Sequence, residues 1–132
     1  MTLQQLMILV VDDDTDVLQT HALMLRSRGI EVLTATSGPE AIELCRRYPG
    51  QLNAVVADLS IPGDHSNFTQ TIAAEFPDVK IIYATGIPRH IALSSGLVTP
   101  GAPYLEKPVS PDLLESLIRG QVTKFVPARD FW

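Results

Sequence analysis

With a single cysteine in 132 residues, the sequence can form no internal disulfide, and the count suits a reducing cytoplasm. Cys45 sits beside Ala41, Ile42 and Leu44 and reads as a small apolar helix filler rather than a redox centre. Positive charge is also scarce: ten Lys and Arg face fifteen Asp and Glu, for a net charge of −5. No Lys/Arg cluster reaches the length of a nucleic-acid patch, so direct nucleic-acid binding is not expected. Long apolar runs are missing too. The stretch over residues 6–11 is far too short to cross a membrane, and no positive region precedes it. His21, His65 and His90 lack metal-ligand spacing and read as surface residues. No repeat, low-complexity tract or linker to a second domain interrupts the chain. A chain of this length fits one domain that buries roughly two-thirds of its unfolded surface. These absences together predict one cytoplasmic module, neither membrane-bound nor secreted.

What is present is a regular alternation. Apolar runs at residues 6–11, 30–34, 54–57, 79–84 and 104–107 read as strands. The second run carries Glu31 and should lie nearer a sheet edge. Asp14 is the expected N-cap of a helix over 14–28, which Gly29 ends. Ser37-Gly38-Pro39-Glu40 is a capping-box pattern opening a second helix. A third is expected over about 66–76, a short fourth from Pro88 to a stop at Gly96, and a fifth after Ser110-Pro111-Asp112. Five strands alternating with five helices on short connections predict an α/β domain with a parallel sheet covered on both faces.

Two of the strands end on acid. Ala54-Val55-Val56-Ala57 stops on Asp58, and the first run stops on Asp12-Asp13-Asp14. Sheets of this kind bind ligands beyond the carboxyl ends of their strands. There Asp12, Asp13, Asp58, Thr85 and Lys107 would gather, from four of the five strands. Carboxylates brought together repel unless a cation joins them, which suggests a Mg²⁺-assisted site with Asp58 as phosphoryl acceptor. Asp14 and Asp16 fit better as a helix cap and a first-turn acid than as ligands.

The ordered set of Asp12-Asp13, Asp58, Pro62, Thr85-Gly86 and Lys107-Pro108 resembles the receiver domains of two-component response regulators, over about residues 5–122. The resemblance implies a doubly wound, flavodoxin-like sheet in the order 2-1-3-4-5. It implies that Asp58 accepts a phosphoryl group from the phosphohistidine of a sensor histidine kinase or histidine phosphotransfer protein. Asp12, Asp13, Asp58 and the Ser60 backbone carbonyl would hold Mg²⁺, while Lys107 and Thr85 would meet the phosphoryl oxygens. Thr85 and Tyr104 would form a switch read out on helix four, strand five and helix five, a surface also suited to a homodimer or a downstream protein partner. Such a protein catalyses its own phosphoryl uptake and loss and is not otherwise an enzyme.

Some features depart from the family's pattern. Ser66 stands where a Gly is usual, Gly101-Ala102-Pro103-Tyr104 is one residue tighter, and Ser60 and Ile87 flank the site where hydrolytic water enters. The Lys107-Pro108 bond is often cis in the family. Residues 1–123 form the expected receiver domain. The tail over 124–132 is unusually apolar for a free end; it reads as a frayed terminus, or else as a segment that docks on helix five or makes a partner or dimer contact. Two other readings are a Mg²⁺-dependent phosphohydrolase with an aspartyl nucleophile, and a receiver-like interaction module that is not phosphorylated.

Overall fold

A computed structural model describes residues 5–60 and 68–123. Its five strands are β1 (Met7–Val11), β2 (Glu31–Ala35), β3 (Ala54–Ala57), β4 (Lys80–Thr85) and β5 (Tyr104–Glu106). They form one parallel sheet in the order β2-β1-β3-β4-β5, as the family resemblance implied. The strand with the interrupting Glu31 does lie at an edge. Five helices separate or follow the strands: α1 (Thr15–Arg26), α2 (Gly38–Arg47), α3 (Phe68–Glu75), α4 (Arg89–Ser94) and α5 (Pro111–Thr123). The order reverses between β1 and β3, and a ligand crevice opens at such a reversal.

Strand alternation divides the core in two. Ile8, Val10, Val56 and Ile82 face α1 and α5, where they meet Leu18, Leu25, Leu114 and Ile118. Leu9, Val11, Val55 and Ala57 face the other way, onto Ala41 and Cys45 of α2 and Phe68 and Ile72 of α3. Both faces of the central strands are therefore dry, which is why β1 and β3 read as unbroken apolar runs rather than alternating ones. Each fully buried Ile or Leu contributes about 1.5–3 kcal/mol. A third, smaller cluster of Ala92, Val98 and Tyr104 seats α4 against β5.

The helix starts follow their caps. The Asp14 carboxylate accepts from the Asp16 and Val17 N–H groups at 3.0 and 3.2 Å. The Ser37 hydroxyl accepts from the Glu40 N–H at 3.2 Å, and Glu40 in turn accepts from the Thr36 N–H at 2.7 Å. Gly29, at φ 82°, turns the chain out of α1 and into β2, a conformation that disfavours any Cβ. The Lys107-Pro108 bond is cis.

Candidate functional site

Strand register brings the acids together. Val11 pairs with Ala57 across the β1–β3 ladder, so Asp12 and Asp58 leave the sheet side by side. The Asp58 N–H continues that ladder to the Val11 carbonyl at 3.1 Å. Thr85 pairs with Glu106, and the Lys107 N–H bonds the Thr85 carbonyl at 2.8 Å, which aims Lys107 back over the same edge. One carboxylate oxygen each from Asp12, Asp13 and Asp58 lies within 4.8 Å of the others. Asp12 and Asp58 are buried, Asp13 is exposed, and Thr85 is wholly inaccessible.

Lys107 organises the charge. Its Nζ donates to Asp58 Oδ2 at 3.0 Å and also to Asp12 Oδ2. The other oxygen of Asp58 accepts from Ser60 twice, from its N–H at 3.0 Å and its hydroxyl at 2.9 Å. The free oxygen of Asp12 accepts from the Asp14 N–H at 2.9 Å. Both carboxylates thus close short turns two residues ahead, as aspartate side chains do. Burial pushes the Asp58 carboxyl up, but the Ser60 N–H, Thr85, Lys107 and the Ser60 hydroxyl together hold it below the ordinary carboxylate range. Burial pulls the Lys107 ammonium down, and Asp12 and Asp58 more than reverse this. Asp58 is therefore an ionised carboxylate at neutral pH, with both oxygens held in place by hydrogen bonds.

Three carboxylates against one ammonium leave two negative charges in the cluster. The donors are all hard oxygens, with no thiolate or imidazole in the group, and this chemistry fits a hard divalent cation such as Mg²⁺ rather than zinc or copper.

Two features of the site were not anticipated. The Ser60 side chain, expected to contribute only a backbone carbonyl, fixes Asp58 through its hydroxyl. His21, expected at the surface, is instead buried on α1. The reason lies in its helical spacing, three residues after Leu18 and four before Leu25, both core residues. Burial lowers its pKa, and Lys107 lowers it further against the opposing pull of Asp12 and Asp58. His90 is exposed as expected. His65, Ser66 and Pro62 fall outside the described residues.

Tyr104 points inward. Its hydroxyl donates to the Ile87 carbonyl in the turn before α4, and its ring lies 6.3 Å from that of Tyr83. The Arg89 guanidinium stands 6.0 Å above the same ring, and the Arg89 N–H donates to Glu106 at 3.2 Å. The Ile87 N–H reaches the Thr85 hydroxyl at 3.4 Å. A continuous path of contacts therefore runs from Asp58 through Thr85 and Ile87 to Tyr104 and α4.

Comparison with known proteins agrees with this geometry. Residues 8–119 match the family described as the response regulator receiver domain, and the chain belongs to that family. It is similar to the uncharacterized transcriptional regulatory protein YrkP of Bacillus subtilis, with 29% identity over 89% of this chain and 50% of the relative. The probable transcriptional regulator ycf27 of Porphyra purpurea is 36% identical over 85% of this chain and 45% of its own. The chain spans about half the length of these relatives. Among solved structures, a receiver domain from Clostridium thermocellum superposes with a TM-score of 0.78 at 25% identity, covering 90% of this chain and 95% of that one. The receiver domain of the hybrid histidine kinase CckA gives 0.72 at 25% identity, over 88% and 98%. Among the described residues no helix is long and apolar enough to cross a membrane.

Proposed function

We propose that this receiver domain, residues 1–123, takes a phosphoryl group onto Asp58 from the phosphohistidine of a sensor histidine kinase or histidine phosphotransfer protein. The observation that supports this best is the position of Lys107, which donates to both Asp12 and Asp58 while Thr85 closes the same cluster. An Asp58 carboxylate oxygen attacks phosphorus in line with the donor nitrogen. The P–N bond breaks, its electron pair returns to the donor imidazole, and an acyl phosphate forms on Asp58. Lys107 pairs with the phosphoryl oxygens as they draw near, and the Thr85 hydroxyl bonds one of them. Asp12, Asp13, one Asp58 oxygen and the Ser60 backbone carbonyl would hold Mg²⁺, which when bound offsets charge on the transferring group.

The output is a change in partner binding, or onward transfer in a phosphorelay, with autodephosphorylation returning the domain to rest. The path from Thr85 through Ile87 ends on Tyr104 of β5 and on α4, and these elements together with α5 present the surface for a downstream protein or a second copy of the chain. The relatives named as transcriptional regulators, and the CckA receiver, are consistent with either route. The domain works in the cytoplasm, where kinase and donor phosphohistidine meet it. Incubation with acetyl phosphate and Mg²⁺, read by intact mass, should give one phosphoryl adduct that is absent without Mg²⁺ and absent from Asp58→Asn. An adduct that persists in Asp58→Asn would refute the assignment.

A further inference from the structure

The two oxygens of Asp58 are not equivalent. Oδ2 is turned toward Lys107, whose Nζ also holds Asp12, so this oxygen faces the side of the cluster where positive charge gathers. Oδ1 is turned toward Ser60 and accepts twice from that one residue, from its N–H at 3.0 Å and from its hydroxyl at 2.9 Å. An ionised carboxylate offers about two lone-pair sites on each oxygen, so these donors occupy both sites of Oδ1. No electron pair of that oxygen is left facing open space. The two donors differ in freedom. The N–H belongs to the short turn that Asp58 closes two residues ahead, and it stays with the backbone. The hydroxyl swings about one side-chain bond, and Ser60 is exposed, so it has room to leave.

We propose that the Ser60 hydroxyl is a latch on the phosphoacceptor: Oδ1 is the oxygen that bonds to phosphorus, and it does so only when Ser60 turns its O–H away. This deepens the proposed function and rests on it. In the step the Oδ1–P bond forms, the bond from phosphorus to the donor breaks, and its electron pair leaves with the donor. The Ser60 proton stays on Ser60, and only its hydrogen bond is given up. Ser60 thereby sets how fast Asp58 is loaded without touching the leaving group. Its hydrogen bond stabilises the resting carboxylate and is absent when the new bond forms, so the barrier rises by what that bond contributes.

Ser60→Ala removes the hydroxyl and Ser60→Thr keeps one. Both retain the backbone N–H and carbonyl, and at an exposed position neither puts folding at risk. Phosphoryl uptake is read by intact mass with Mg²⁺ and either acetyl phosphate or phosphoramidate. Ser60→Ala should load about tenfold faster, as loss of a resting hydrogen bond to a charged group implies. The factor should be the same for both donors, because the latch acts on the acceptor oxygen and not on the donor. Ser60→Thr should lose most of that acceleration. In the resting chain, with no donor present, three-bond NMR couplings should place the Ser60 side chain in one rotamer. Four results would overturn the latch: uptake unchanged or slowed in Ser60→Ala, an acceleration that differs between donors, equal acceleration in Ser60→Thr, or a resting Ser60 averaged over rotamers. Each of these leaves uptake at Asp58 standing. A wild type and variants that never take up a phosphoryl group would instead sink the assignment of Asp58, and the latch with it.

Discussion

At the scale of single residues, Lys107 balances a cluster that otherwise repels itself. Asp13 is the exposed member, and two charges about 5 Å apart in water repel by about 1 kcal/mol. Asp13→Asn should therefore raise thermal stability by about that amount when no divalent cation is present. The wild type should gain about 2.7 kcal/mol when Mg²⁺ stands at 100 times its dissociation constant, and the variant should gain much less. Melting curves with and without Mg²⁺ decide this.

His21 gives a second prediction, because burial lowers its pKa below the ordinary value of about 6.5. As pH falls through that value the unfolded chain takes up a proton there that the folded chain refuses. Stability is lost between the ordinary value and the lowered folded one, and is unaffected above it. Urea midpoints from about pH 7.5 down to about 5.5 should fall for the wild type and fall less for His21→Leu. The position of His21 was legible in principle. Leu18, Ala22 and Leu25 define a buried stripe, and residue 21 completes its i, i+3, i+4, i+7 pattern. The residue's polar identity masked its place. Cys45 was legible: burial pushes its thiol up to about 11, so iodoacetamide should modify it only as the chain unfolds.

At the scale of elements, α4 depends on β5 more than on its own length. Its six residues include no side-chain cap, and Glu106 accepts the Arg89 N–H in place of one. The Tyr104 hydroxyl holds the turn before it through the Ile87 carbonyl. Tyr104→Phe leaves that carbonyl without its partner, at a cost of about 0.5–1.5 kcal/mol. Hydrogen exchange in α4 should then quicken up to about tenfold while α2 is unchanged, since 1.4 kcal/mol is one decade. Equal acceleration in both helices would mean global loosening instead. None of these ties could be read from the sequence. Each joins groups whose meeting depends on the β4–β5 register. The helix starts at Asp14 and Ser37, by contrast, are local hydrogen bonds and were legible from residue type and spacing alone.

At the scale of the whole molecule, the strands and their acidic ends announced themselves because a sheet covered on both faces needs unbroken apolar runs. Their order did not follow from periodicity. Parallel strands of similar composition can be permuted without changing the pattern, and the order came from the family resemblance. The site shares that division. Asp12, Asp13, Asp58, Thr85 and Lys107 were identifiable by where strands end, whereas the Lys107 bridge and the Ser60 hydroxyl bond depend on the assembled sheet. The central claim is that this assembled cluster makes Asp58 the phosphoacceptor. Treating the chain with acetyl phosphate and Mg²⁺, reducing the acyl phosphate with borohydride and sequencing the peptides by mass spectrometry tests it most directly. The account predicts homoserine at position 58 and nowhere else, in proportion to the phosphoryl adduct. Reduction at another carboxylate, or a stable adduct with residue 58 left as aspartate, would contradict it.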